Sequence, residues 1–267
     1  MRKAPQTMMN SLYMAILIIG ACAVLPPAGV LVVRKFLHGK VAEGHNDVLV
    51  PLFLMAGTLY AVLLGFMVIA VWESYESARG NVADEAATLV ALYRETNGMQ
   101  TASGEKMREL IREYAEAVIH DEWTIQATTG KASNKARKAI GNLSRAFCNM
   151  DPKIKVLDAE INAVFLHTAT QIVADRNRRT LQANESMPWV MWLGAIGGAV
   201  IVLTMSFFLF MERGWPHALM ESAMGALIGT LLFIILVLNH PFVGPLAISS
   251  EPFETTLQTL DAVDQGN

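Results

Sequence analysis

Cysteine is scarce in this 267-residue chain, which has two. Cys22 lies inside an apolar run and Cys148 in a polar stretch, so the pair is poorly placed to bond and no disulfide scaffold is implied. Also missing are a glycine-rich phosphate loop, paired cysteines at zinc spacing and an HExxH-type motif. An enzyme therefore has little to stand on, and no cofactor is expected. Basic charge is not in excess either. Residues 73–185 hold fifteen Lys or Arg against sixteen Asp or Glu, which argues against a nucleic-acid groove and against a polybasic lipid patch. Internal repeats, low-complexity tracts and flexible linkers are absent as well.

What the chain does have is four long apolar stretches, about Ser11 to Val33, Val48 to Trp72, Met187 to Met211 and Ala218 to Leu238. At roughly 1.5 Å per residue, each helix is long enough to cross a hydrocarbon core of about 30 Å. Barrel strands are excluded because the runs do not alternate. The expected fold is an all-α membrane protein with four transmembrane helices and a helical cytoplasmic region between the second and third. Its parts are 1–72 for the first two spans, 73–186 for the cytoplasmic region, 187–239 for the last two spans and 240–267 for a cytoplasmic tail. An even number of crossings puts both termini and the middle on one side. Arg2, Lys3, Arg79, Arg94, Arg176, Arg178 and Arg179 against Arg34, Lys35, Lys40 and Arg213 make that side cytoplasmic. Arg2 and Lys3 before an apolar run containing Ala21-Cys22-Ala23 also fit a secretory signal, but the run continues to Val33, past the point where a signal ends. Pro26-Pro27 should kink or divide the first span.

Trp189, Trp192 and Trp215 sit where interfacial anchors are expected. Gly194 and Gly198, and Gly225 and Gly229, are spaced for close helix packing. With no turn signal after the second span, that helix should run on to about Asn97, with Gly98 as its C-cap. A second helix is expected from Ser103 to near Trp123, burying Met107, Leu110, Ile111, Tyr114 and Val118. A third, about Ser133 to Met150, buries Ala136, Ile140, Leu143 and Phe147. A fourth starts at Asp151-Pro152 and continues through Ile154, Leu157, Ile161, Phe165, Thr168 and Ile172.

Several groups could carry chemistry. Glu113, Glu116 and His120 occupy neighbouring turns of one helix, and carboxylate with imidazole suits metal binding or proton sensing. The same residues also make an ordinary solvated face opposite the Met107–Tyr114 stripe. Glu221, one turn after His217, either snorkels toward headgroups or acts as an outer charge that titrates or concentrates cations. On the second span, Thr58, Val62 and Phe66 recur every four residues, and the same surface reaches Ile69, Glu73 and Glu76. In a single chain this is an apolar helix face. In a symmetric ring it becomes stacked rings, an apolar constriction followed by an acidic vestibule favouring cations.

Leu64-Gly65-Phe66-Met67-Val68, with Trp72 and Tyr75 after it, resembles the pore-lining second helix of bestrophin channels. Ala78-Arg79, Asp121-Glu122-Trp123, Asn239-His240-Pro241-Phe242-Val243-Gly244 and Glu251-Pro252-Phe253 extend a resemblance to the bacterial bestrophin-like domain family over nearly the whole chain. The resemblance implies a pentameric ion channel of the bacterial inner membrane, with a hydrophobic neck at Thr58, Val62 and Phe66. Thr58 departs from the apolar pattern and implies a shorter or wetter outer end. No acidic run matching the calcium clasp of animal bestrophins follows the last span. The expected partners are membrane lipids, further copies of the chain and permeating small ions, with no nucleic acid. A membrane sensor or scaffold that does not conduct, its cytoplasmic helices binding a partner, fits the same sequence.

Overall fold

The computed structural model describes residues 4–37, 45–97, 102–149, 159–211 and 213–266. Nine α-helices account for most of them: α1 (Ala4–Leu37), α2 (His45–Asn97), α3 (Ala102–Ala117), α4 (Trp123–Thr129), α5 (Asn134–Cys148), α6 (Ala159–Gln182), α7 (Trp189–Phe207), α8 (Gly214–Leu238) and α9 (Glu251–Gln265). A π-helical turn, Val118–Glu122, joins α3 to α4. No strand occurs among the described residues. Four helices contain segments long and apolar enough to cross a membrane: Leu12–Phe36, His45–Thr96, Trp189–Phe207 and Gly214–Leu238. The protein is an all-α membrane protein with four transmembrane helices.

The chain forms two compact units, Met1–Ser74 with Ser186–Asn239, and Tyr75–Glu185 with His240–Asn267. In the first, α1 lies along α8 at backbone distance. A Cβ placed on Gly225 would stand 1.9 Å from the Cys22 carbonyl oxygen, and one on Gly229 would stand 2.7 Å from the Cys22 Cβ. Only glycine permits that approach. Gly198 similarly admits the Tyr60 ring, whose hydroxyl donates to the Ala195 carbonyl at 2.9 Å. The expected division of the first span does not occur, because α1 continues through both prolines. Pro26 has no N–H for the Cys22 carbonyl, and that freed carbonyl is the atom turned toward Gly225. Large apolar side chains over much of the four spans, among them Leu17, Leu25, Leu59, Leu193 and Leu227, are exposed, as a lipid-facing surface requires.

The second unit has a conventional core. Met107, Leu110, Ile111, Tyr114 and Val118 of α3 and the π turn meet Ala136, Ile140, Leu143 and Phe147 of α5, all buried as the periodicity predicts. Ser133 caps α5, its hydroxyl accepting from the N–H groups of Lys135 and Ala136. Phe165, Thr168 and Ile172 of α6 are buried too. The expected cap at Gly98, the start at Asp151-Pro152 and the positions of Ile154, Leu157 and Ile161 lie outside the residues whose side chains are described. Two expectations change. Ser103 lies inside α3 and not before it, since the helix begins at Ala102. The second helix of this region does not end near Trp123, because the π turn carries it on to Thr129, where Gly130 at φ 68° closes it. The tail also contributes a helix. Glu251-Pro252 opens α9, which buries Phe253, Thr256 and Leu260 at helical spacing.

Candidate functional sites

The face of α2 is built by its packing. Tyr60, Leu64, Met67 and Val71 are buried within the first unit, which fixes the rotation of the helix. At about 100° per residue, Thr58, Val62, Phe66, Ile69 and Glu73 fall on the side roughly opposite. All five are exposed, Phe66 to 67%. The Thr58 hydroxyl donates to the Leu54 carbonyl at 2.8 Å, so its single proton is spent inside the helix, making this position less polar than its identity suggests. Glu76, in the second unit, is exposed and stands 3.8 Å from Arg79, a pair worth little in water.

The second unit buries a charge network that sequence reasoning missed. Arg179 is fully buried on α6. Its Nε donates to Glu85 Oε2 at 2.6 Å, Nη2 to Glu122 Oε1 at 2.8 Å and Nη1 to Gln126 Oε1 at 2.9 Å. Arg176 Nη2 donates to the other oxygen of Glu122 at 2.7 Å. The Tyr114 hydroxyl donates to Glu85, while the rings of Trp123 and Phe253 lie 5.2 and 5.7 Å from the guanidinium carbon of Arg179. Two carboxylates thus meet two guanidiniums in the dry centre of the bundle, drawing together α2, the π turn, α4 and α6. Burial, and next the Glu85 carboxylate, pushes the Tyr114 hydroxyl well above its ordinary range, so it stays a donor. Burial alone would lower Arg179, but Glu85, Tyr114 and Glu122 outweigh it and the group stays charged. A signal was legible. Glu85 interrupts the stripe Ala78-Val82-Leu89-Leu92, and Arg179 continues the stripe Phe165-Ala169-Ile172, so both were charges at core positions. A sequence reading that treats Arg176, Arg178 and Arg179 as flanking charges does not see it.

Glu113, Glu116 and His120 are exposed. Among the described residues no three His, Cys, Asp or Glu side chains converge as a metal set. Glu221 differs from the snorkelling expectation. It is 3% exposed inside the first unit, beside His217 at 2% and Ser206 at 1%. The Ser206 hydroxyl of α7, 2.9 Å from Glu221 Oε2, holds the carboxyl inward.

The tail motif near Asn239 is structural. The Asn239 side chain accepts from the Met187 N–H at 2.8 Å in the first unit. In the second, Trp123 donates to the Ile248 carbonyl at 3.0 Å and packs on Phe242 and Phe253, while Gly244 takes φ 96° in the intervening turn.

Solved structures share this arrangement of helices. A single-substitution variant of a bacterial bestrophin homologue from Klebsiella pneumoniae superposes with TM-score 0.67 at 10% identity, over 93% of this chain and 96% of that one. A second single-substitution variant of a Klebsiella pneumoniae bestrophin homologue gives TM-score 0.64 at 11% identity, over 92% and 97%. No curated protein matches the chain. The profile of the Bestrophin-like domain matches residues 20–253, and the chain belongs to that family.

Proposed function

We propose that this protein is a homo-oligomeric ion channel of the bacterial inner membrane, five copies surrounding a pore lined by α2, with the middle region and both termini cytoplasmic. The observation that carries this reading is the uncovered stripe Thr58-Val62-Phe66-Ile69, roughly opposite the face with which α2 packs in its own protomer. Turned toward a shared axis, Thr58, Val62 and Phe66 form a constriction narrow and apolar enough to gate by dewetting. Ile69, Glu73 and Glu76 follow on the cytoplasmic side, and the carboxylates favour cations. Arg79 tempers Glu76, which leaves Glu73 the stronger contributor. Family membership and the bestrophin homologues among its structural neighbours support the reading.

Planar-bilayer recording of purified protein tests it. Phe66→Ala is expected to raise conductance or open probability several-fold, and an active preparation in which it changes neither removes the pore assignment. Neutralising Glu73 and Glu76 together should move the reversal potential toward anions. A stable monomer in detergent would be incompatible with a central pore.

A further inference from the structure

We propose that Glu221 is a proton-binding site in the membrane unit, carrying its proton when α7 and α8 are packed together and losing it when that end of the pair loosens. The hydrogens available at Ser206 decide it. Ser206 Oγ lies 2.7 Å from the Leu203 carbonyl oxygen and 2.9 Å from Glu221 Oε2. A hydroxyl has one hydrogen, and a carbonyl oxygen has none to give. With Glu221 ionised, the Ser206 hydroxyl faces two acceptors and leaves one contact empty. With a proton on Oε2, the carboxyl donates to Ser206 Oγ, Ser206 donates to Leu203, and both distances are satisfied.

His217 does not supply an alternative charge balance. Its Nε2 is 3.1 Å from the Ser206 carbonyl oxygen, which requires a hydrogen on Nε2. The same nitrogen is 3.6 Å from Glu221 Oε1, too long for the hydrogen bond of an ion pair. Its Nδ1 is buried without a hydrogen-bond partner, so a second ring proton would be an unpaired buried donor. A proton on the Glu221 carboxyl is therefore the arrangement that fits the contacts at Ser206. His217 and Glu221 are the only ionisable residues of α8, whose N-cap Arg213 is exposed, and α7 has none. On α1, Cys22 stands against Gly225 and Gly229, and Arg34 donates to the Met211 carbonyl beside Gly214; Tyr13 and Lys35 are exposed. At the start of α2, His45 bonds the Phe208 carbonyl and Asp47 is exposed.

Since the packed arrangement holds one proton more than the loosened one, raising the pH favours loosening. Glu221 lies 17 residues before Leu238, roughly 26 Å along α8 from the end that leads to the tail, which puts it near the opposite end of the span. That protonation gates current rests on the channel reading; the proton itself does not.

The test uses the full-length protein in phosphatidylethanolamine–phosphatidylglycerol vesicles, read by infrared difference spectroscopy of the protonated carboxyl stretch. At mildly acidic pH the spectrum should contain a carboxyl band that disappears in alkali and is missing from Glu221→Gln. An acidic-pH band unaltered by that substitution means Glu221 is ionised and overturns the proposal. Should Glu221→Gln fail to fold, Ser206→Ala gives the same decision: the band must shift when its acceptor is removed, and an unshifted band overturns the assignment. In bilayers, a pH rise on one face should change wild-type open probability by about tenfold, and Glu221→Gln should lose the response. Equal responses in the two proteins overturn the gating role. Silent bilayers with the band present would count against the channel reading and leave the proton site standing.

Discussion

The two units of this protein solve the problem of helix packing by opposite means. In the membrane unit the contacts are made close by leaving side chains out: Gly225 and Gly229 against Cys22, and Gly198 against the Tyr60 ring. Lipid tails offer no hydrophobic drive to bring apolar helices together, so association rests on close fit and a few shared hydrogen bonds. In the second unit the helices are driven together by burial of Leu89, Leu92, Met107, Ile111, Leu143 and Ile172 from water, and the surplus tolerates four charges at the centre. Buried ion pairs contribute little net stability but cost heavily when one partner is removed. The membrane unit is therefore sensitive to added atoms, and the second unit to lost charge.

The sharpest way to break this contrast is Arg179→Met. It leaves Glu85 and Glu122 short of a partner in a dry core and should cost about 3–5 kcal/mol, read as early loss of the second unit in thermal unfolding in detergent. Replacing all four charges, Arg179, Arg176, Glu85 and Glu122, together by apolar residues of similar size should recover most of that loss. Gly225→Ala is the counterpart for the membrane unit. Its methyl group would meet the Cys22 carbonyl, and the forced separation of α1 from α8 should cost about 1–3 kcal/mol, visible as a lower unfolding temperature. The same substitution at Gly80, where a Cβ meets nothing within 4 Å, should not destabilise.

Smaller effects refine the comparison. Tyr60→Phe removes one buried hydrogen bond to Ala195 and should cost about 0.5–1.5 kcal/mol. At the edge of the second unit, Asp264 accepts from the Tyr93 hydroxyl and from Arg112, and these outweigh the upward push of burial to hold its carboxyl below the ordinary range. Its contribution is present above the unfolded carboxylate's value and is lost as pH falls through the depressed folded one. Being half exposed, it should matter little. Asp264→Asn is expected to cost about 0.2–1 kcal/mol and to weaken the acid dependence of unfolding slightly.

Periodicity made much of this architecture readable. The stripe Met107-Leu110-Ile111-Tyr114-Val118, the cap at Ser133 and the run of α2 from membrane to Asn97 follow from local rules, because helical spacing and capping act within a few residues. The α9 helix obeys the same local rules, with Pro252 at its start and Phe253, Thr256 and Leu260 along its buried face. Glu113 and Glu116 lie on α3 and His120 in the π turn that follows it, and their proximity in sequence made them look more like a site than the residues the fold buries. The charges that the structure gathers are far apart along the chain: Glu85 and Arg179 are 94 positions distant, and Glu122 and Arg179 57.

The sequence by itself determined four membrane helices, an amphipathic helical middle and which residues share each helix face, since hydrophobic periodicity and chain geometry are local. Only the tertiary structure decided which charges are dry. The same Glu or Arg is solvated at the surface and locked at the core, and the difference depends on what distant helices place against it. That is why Glu221 turns from an expected snorkelling residue into a buried carboxyl, and why Arg179 turns from a flanking cation into the centre of a bundle.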